Sequence, residues 1–173
     1  MAARETVASL AKRLKRFEDE HAVKACMNCY MTLCDQLTVG FDLEPLLALF
    51  SEDAIWEGIG SRYSKTFGRM QGRSAIAEMF HKYTQPPAHF AVNVHFLTSE
   101  LIRVKEEQAT GHWVLLQTAT FSDGRSQLSS ARLEVDFICA EGEWQISHFR
   151  TESLFNRPVQ TPWDQAAALP VPE

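Results

Sequence analysis

At Gln85-Pro86-Pro87 the period of the hydrophobic pattern changes, and that change limits what this chain can become. Proline lacks an N–H and restrains the residue before it, so no helix is expected to cross this point. Beyond it, apolar residues recur at every second position over 88–97, 100–105, 109–121, 129–140 and 143–153. Polar turns such as Ser122-Asp123-Gly124 and Glu141-Gly142 separate these stretches, the pattern of successive antiparallel strands. Before the prolines the steps are of three and four residues. Val7, Leu10, Leu14, Phe17 and His21 form one amphipathic stripe, expected to lie on the domain or on a partner subunit. Val23, Cys26, Met27, Tyr30, Leu33, Cys34 and Leu37 form a second, with one face toward a core. Helices followed by strands predict an α+β domain.

Between these blocks, Gly40 breaks the helical pattern and Asp42 stands where an N-cap would accept a backbone N–H. Leu43, Leu46, Leu47 and Phe50 then resume helical spacing, with Pro45 in the first turn, where its missing N–H is tolerated. Residues 58–73, rich in Gly, Ser and Arg, read as a loop. Ser74 is expected to cap a short helix carrying Ile76, Met79 and Phe80. The tail from Arg157, with four prolines, reads as an extended strap. The expected division is one domain over 1–157, including an N-terminal helical extension, and a Pro-rich tail over 158–173.

A chain of 173 residues that is 45% hydrophobic has the size for a single globular core. Its net charge of −5 supplies no basic field for phosphates, so nucleic acid is not an expected partner. No apolar run approaches a membrane span and no signal-peptide core stands at the N-terminus, which makes a cytoplasmic location the expectation. Cys26 and Cys29 form a C-x-x-C on one helix with no second pair nearby, whereas structural zinc needs four ligands. All four cysteines are therefore read as reduced, small apolar residues, with no metal site.

The order helix, Tyr30-x4-Asp35, short helix, Leu49-Phe50-x2-Asp53-Ala54-x-Trp56, then His89-Phe90-x2-Asn93 resembles the SnoaL-like branch of the nuclear transport factor 2-like superfamily. The likeness covers most of residues 6–155. It extends to bile-acid 7α-dehydratase, scytalone dehydratase and hexachlorocyclohexane dehydrochlorinase. The fold it implies is a cone-shaped α+β barrel, with N-terminal helices packed in the concave face of a curved, mainly antiparallel sheet. It also implies a cavity on that face and a homodimer or higher homo-oligomer through the convex one.

Read alone, Tyr30 is a core aromatic whose hydroxyl reaches a partner. Asp35, about 140° around the helix from it, would be a solvated aspartate. His89 would be a histidine at a strand edge. The resemblance instead implies that Tyr30, Asp35 and His89 are catalytic and share the cavity, with Trp56, Asn93 and Arg150 contacting substrate. A pocket arginine of the dehydratases aligns by strict counting with Ser153, and Arg150 is its substitute. On the strand after the prolines, Phe90, Val92, Val94 and Phe96 fall on one face, assigned to packing or dimer contact, while His89, Asn93 and His95 share the other.

In that arrangement His89 would be a general base. Asp35 would orient it, and Tyr30 would hydrogen-bond a developing enolate oxygen or the departing group. The implied activity is a cofactor-independent, dehydratase-like elimination on a small hydrophobic cyclic or polycyclic molecule. The sequence leaves open a proton-transfer isomerase or polyketide cyclase on the same fold, and a non-catalytic ligand-binding module. No Gly-rich phosphate loop or metal-ligand cluster suggests a cofactor.

Overall fold

The computed structural model describes residues 6–165. The two helical stripes are one continuous helix, α1 (Val7–Asp35), capped by Thr6, whose hydroxyl accepts the Ser9 N–H at 3.2 Å. Its two halves differ in what they touch. From Asp19 onward the stripe Val23, Cys26, Met27, Tyr30, Met31 and Cys34 is buried in the core. Before Asp19 the helix projects from the domain, leaving Val7, Leu10, Leu14 and Phe17 exposed. Asp19 marks the crossover, accepting from Trp144 Nε1 at 3.1 Å and pairing with Lys15.

A short α2 (Glu44–Leu47) follows, and the Asp42 carboxylate takes the Glu44 N–H at 3.0 Å, though Leu43 occupies the cap position. Phe50, expected on this helix, instead opens strand β1 (Phe50–Ile59) and is fully buried. The segment read as a loop contains α3 (Gly60–Thr66) and β2 (Arg69–Gln71). Gly58 permits this reversal, because a Cβ there would lie 2.4 Å from the Tyr63 carbonyl oxygen. Helix α4 (Arg73–His81) is capped by Gly72, not Ser74, and a 3-10 turn (Lys82–Thr84) leads to the prolines.

The remaining strands are β3 (Phe90–Lys105), β4 (Gln108–Phe121), β5 (Ser126–Ala140) and β6 (Glu143–Val159). All six form one curved sheet in the order β2-β1-β6-β5-β4-β3, with only β1 and β6 parallel. The sheet stays open, with β2 and β3 at its edges. The expected stretches 88–97 and 100–105 are one strand, bent where its register with β4 shifts between Thr98 and Leu101. The expected domain boundary at 157 falls inside β6, which pairs with β5 as far as Val159. The expected strap beyond it is partly outside the described residues. Helices followed by a curved, mainly antiparallel sheet are the α+β architecture the sequence predicts.

The concave row of β4 shows where the core stops and empty space begins. Trp113 is packed solid against Phe137, while Leu115 and Gln117, two and four residues further along the same face, line a cavity.

Candidate active site

The cavity, of about 490 Å³, lies between α1, α3, the segment around Tyr83 and the concave face of β3 to β6. One wall is aromatic. Trp56 stacks on Phe149 with ring centroids 5.5 Å apart, and Tyr30 leans on Phe149 at 5.0 Å. Trp56 Nε1 donates to the Tyr30 hydroxyl at 2.9 Å, and that hydroxyl also meets the Cys34 thiol. Burial pushes the Tyr30 phenol well above its ordinary range and the Cys34 thiol up to about 12, so both keep their protons near neutral pH.

The opposite wall carries the charge chemistry. Helix α1 ends at Asp35, and its last turn presents the Cys34 backbone carbonyl and the Asp35 carboxylate to β3. Asn93 and His95, two residues apart on β3 and therefore on one face, receive them. Asn93 Nδ2 donates to the Cys34 carbonyl at 3.2 Å. Asp35 Oδ1 lies 2.5 Å from His95 Nδ1, and its two oxygens lie 3.0 and 3.3 Å from the His95 backbone N. A carboxylate can only accept, so Nδ1 carries the proton and neutral His95 keeps its lone pair on Nε2. His95 lines the cavity, and Asp35 stands behind it.

The partner of Asp35 is thus His95 and not His89, a correction that the geometry of β3 explains. His89 precedes the strand and sits at the mouth, in ring contact with Tyr83, Phe90 and Phe121. Phe90 also lines the cavity, contrary to the face assigned to it. The register with β4 shifts between Phe90 and Val92, and this bulge puts Phe90 on the side of Asn93 and His95. Burial holds the His89 imidazole below its ordinary 6.5, with Asp123 pulling weakly the other way. An NMR titration of the imidazole proton is therefore expected to place the His89 midpoint below that of a free histidine. A midpoint above it would show that Asp123 outweighs burial.

Arg150 is a second correction. Along β6, Phe149 and Thr151 point inward to the cavity, so Arg150 points outward. There it bonds Glu134 at 3.0 Å, Asp136 at 2.6 Å and His148 Nδ1 at 2.8 Å. His148 in turn meets Glu57 at 2.7 Å. Burial by itself would raise the Glu57 carboxyl, but hydrogen bonds from His148 and Arg69 outweigh it and lower it.

Tyr30, Trp56, His89 and Asn93 all line the cavity. The sequence reading missed His95 as the partner of Asp35, and also Gln117, Ser129 and Arg62, which line it too. The signal for His95 was its two-residue step from Asn93. Among the described residues, no three His, Cys, Asp or Glu side chains gather in a way that could hold a metal ion, and no helix is long and apolar enough to cross a membrane.

Comparison with solved structures finds the same fold. A LinA-type3 hexachlorocyclohexane dehydrochlorinase from Novosphingobium barchaimii superposes with a TM-score of 0.71 at 15% identity, covering 92% of this chain and 99% of its own. A protein of Novosphingobium aromaticivorans provisionally assigned as a scytalone dehydratase gives 0.69 at 17% identity, covering 87% and 97%. An NTF2-like protein with a cystatin-like fold from the same species gives 0.64 at 22%, covering 88% and 92%. No curated protein matches the sequence. The profile of the SnoaL-like domain matches residues 15–150, from within α1 to the middle of β6, and the chain belongs to that family.

Proposed function

We propose that this protein is a lyase that eliminates water or another leaving group from a small hydrophobic cyclic or polycyclic molecule, without a cofactor. The observation that carries this reading is the Asp35–His95 pair opening onto an aromatic-walled cavity of about 490 Å³. His95 Nε2 would take a proton from carbon, and the Asp35 carboxylate would hold the ring and face the imidazolium charge that results. Tyr30, kept protonated by burial, would remain a neutral hydrogen-bond donor on the aromatic wall. The dehydrochlorinase and dehydratase among similar folds support elimination as the reaction class. A proton-transfer isomerase would use the same base and differ only in returning the proton.

Hydroxylated steroid, terpenoid and aromatic compounds, screened by thermal shift and then assayed for turnover, test the reading. Turnover should survive treatment with a chelator. Folded protein that binds hits but turns none over, or activity that a divalent ion must restore, would overturn it.

The convex face supports a homodimer or higher oligomer as part of this proposal. Phe96 is 50% exposed there, with Val92 and Val94 on the same face and Leu116 opposite it on β4. Sedimentation is expected to show a species larger than a monomer at micromolar concentration, and Phe96→Glu is expected to shift it toward monomer. A wild type that sediments as a monomer would remove the assignment of this face.

A further inference from the structure

Across the cavity floor, one polar row crosses four strands. His95 on β3 stands opposite Gln117 on β4, Gln117 opposite Ser129 on β5, and Ser129 opposite Asn156 on β6. All four line the cavity. Within this row Gln117 is joined to Asn93 and to Ser129, and the direction of these bonds follows from one carbonyl. The Cys34 carbonyl can only accept, so Asn93 turns its NH₂ toward it at 3.2 Å. The Asn93 oxygen then faces Gln117, and Gln117 must turn its NH₂ toward that oxygen, at 2.7 Å. The Gln117 oxygen is left for the Ser129 hydroxyl, which donates to it at 3.1 Å.

This relay fixes the Gln117 amide without consuming it. One of its two N–H groups is spent on Asn93, and the other has no protein partner among the described residues. It belongs to the residue directly opposite His95, where cross-strand side chains lie roughly 5 Å apart at Cβ. Among the described residues no Asp or Glu lines the cavity, and Arg62 at its mouth is the one permanent cation in the lining. A negative charge that forms over the floor therefore faces no lining carboxylate.

We infer that the unspent N–H of Gln117 binds a carbonyl oxygen of the substrate, and that the preferred substrates carry that carbonyl beside the carbon whose proton His95 removes. The inference rests on the elimination reading for the role of His95. In the reaction, the C–H electron pair forms a carbon–carbon double bond as the carbonyl π pair moves onto oxygen, and the proton goes to His95 Nε2. Gln117 donates to the enolate oxygen. When the carbonyl re-forms, the electron pair expels a hydroxyl from the neighbouring carbon. That hydroxyl takes the proton from His95 and leaves as water, which restores the base. Halogenated hydrocarbons lacking such an oxygen would make no use of the relay.

The test compares 2-naphthol, whose ring oxygen imitates an enolate, with naphthalene, which fills the same space without it. Wild type is expected to bind 2-naphthol about tenfold or more tighter than naphthalene, and Gln117→Met to erase that preference while retaining naphthalene. On wild-type protein, the Gln117 side-chain NH₂ resonances are expected to move on adding 2-naphthol and to move much less with naphthalene. This second measurement does not depend on how the variant folds. A wild type without the preference, a Gln117→Met protein that keeps it, or Gln117 resonances that respond equally to both would overturn the assignment. These readouts involve no turnover, so they can fail while His95 remains the base of a lyase. Equally, they can succeed on a protein that only binds.

Discussion

His95→Ala is expected to lower turnover on the order of 10²–10⁴-fold, the usual contribution of a positioned proton-transfer group, while leaving ligand binding largely intact. The side chain is part of the cavity wall, and its Nδ1 side is already occupied by Asp35 at 2.5 Å, so only Nε2 can act on a substrate. Asp35→Asn is expected to slow the same step. An asparagine can still accept the His95 backbone N–H that Asp35 holds at 3.0 Å, which makes it a gentler change than alanine. It carries no charge to face an imidazolium, however, and its NH₂, turned toward Nδ1, would favour the tautomer with the proton on Nε2. His89→Ala, by contrast, removes a ring from the mouth and not the partner of Asp35, and is expected to alter substrate affinity more than the chemical step. The measurement is turnover against pH for the three variants on a screened substrate, with folding checked by circular dichroism. Folded His95→Ala that retains near wild-type turnover would eliminate the dyad as the proton-transfer group.

The difference between His89 and His95 shows what a one-dimensional pattern can and cannot carry. Alternation placed both on one side of the strand together with Asn93, and all three line the cavity. Which of them Asp35 meets depends on where α1 ends against β3, a tertiary relation with no local sequence mark. The angle of about 140° from Tyr30 that argued for a solvated Asp35 describes the helix correctly. It fails as a prediction of surroundings because the edge strand β3 covers that side of the last turn. Bulges cause the other displacements. The shift between Phe90 and Val92 moved Phe90 inward, since one extra residue breaks the strict alternation at that point and pairs Phe90 with Phe121 on the cavity side. Arg150 is legible from alternation alone, lying between inward Phe149 and Thr151. The core stripe of α1 from Val23 to Cys34 and the four long strands followed from periodicity because each buries one face over many residues. Helix α3 was not legible, since none of its residues is buried and its polar sequence lacks an apolar stripe.

The largest stability effect is expected on β4, at the boundary where solid core gives way to cavity. Trp113 is 2% exposed, packs edge-on to Phe137, and donates Nε1 to Glu100 at 3.3 Å. Gly111, two residues before it on the same face, makes room for that ring. A Cβ on Gly111 would lie 2.1 Å from Trp113 Cη2 and 2.3 Å from Cζ3. No side chain can remain there without driving the rigid indole into its neighbours. Trp113→Ala is expected to cost about 3–5 kcal/mol, the range for deleting a large buried aromatic. Gly111→Ala is expected to cost about 3 kcal/mol, the upper end of the usual overpacking range, because the ring it strikes is buried and cannot swing to solvent. The two effects share one cause, so they should not add. With Trp113 already replaced by alanine, the collision is gone, and adding Ala at 111 should cost almost nothing or stabilise by a few tenths of a kcal/mol through the unfolded chain. Urea unfolding of the two single variants and the double variant forms a complete cycle, and a strong non-additivity is the expected result. Costs that simply sum would show that Gly111 is required for some reason other than the indole above it.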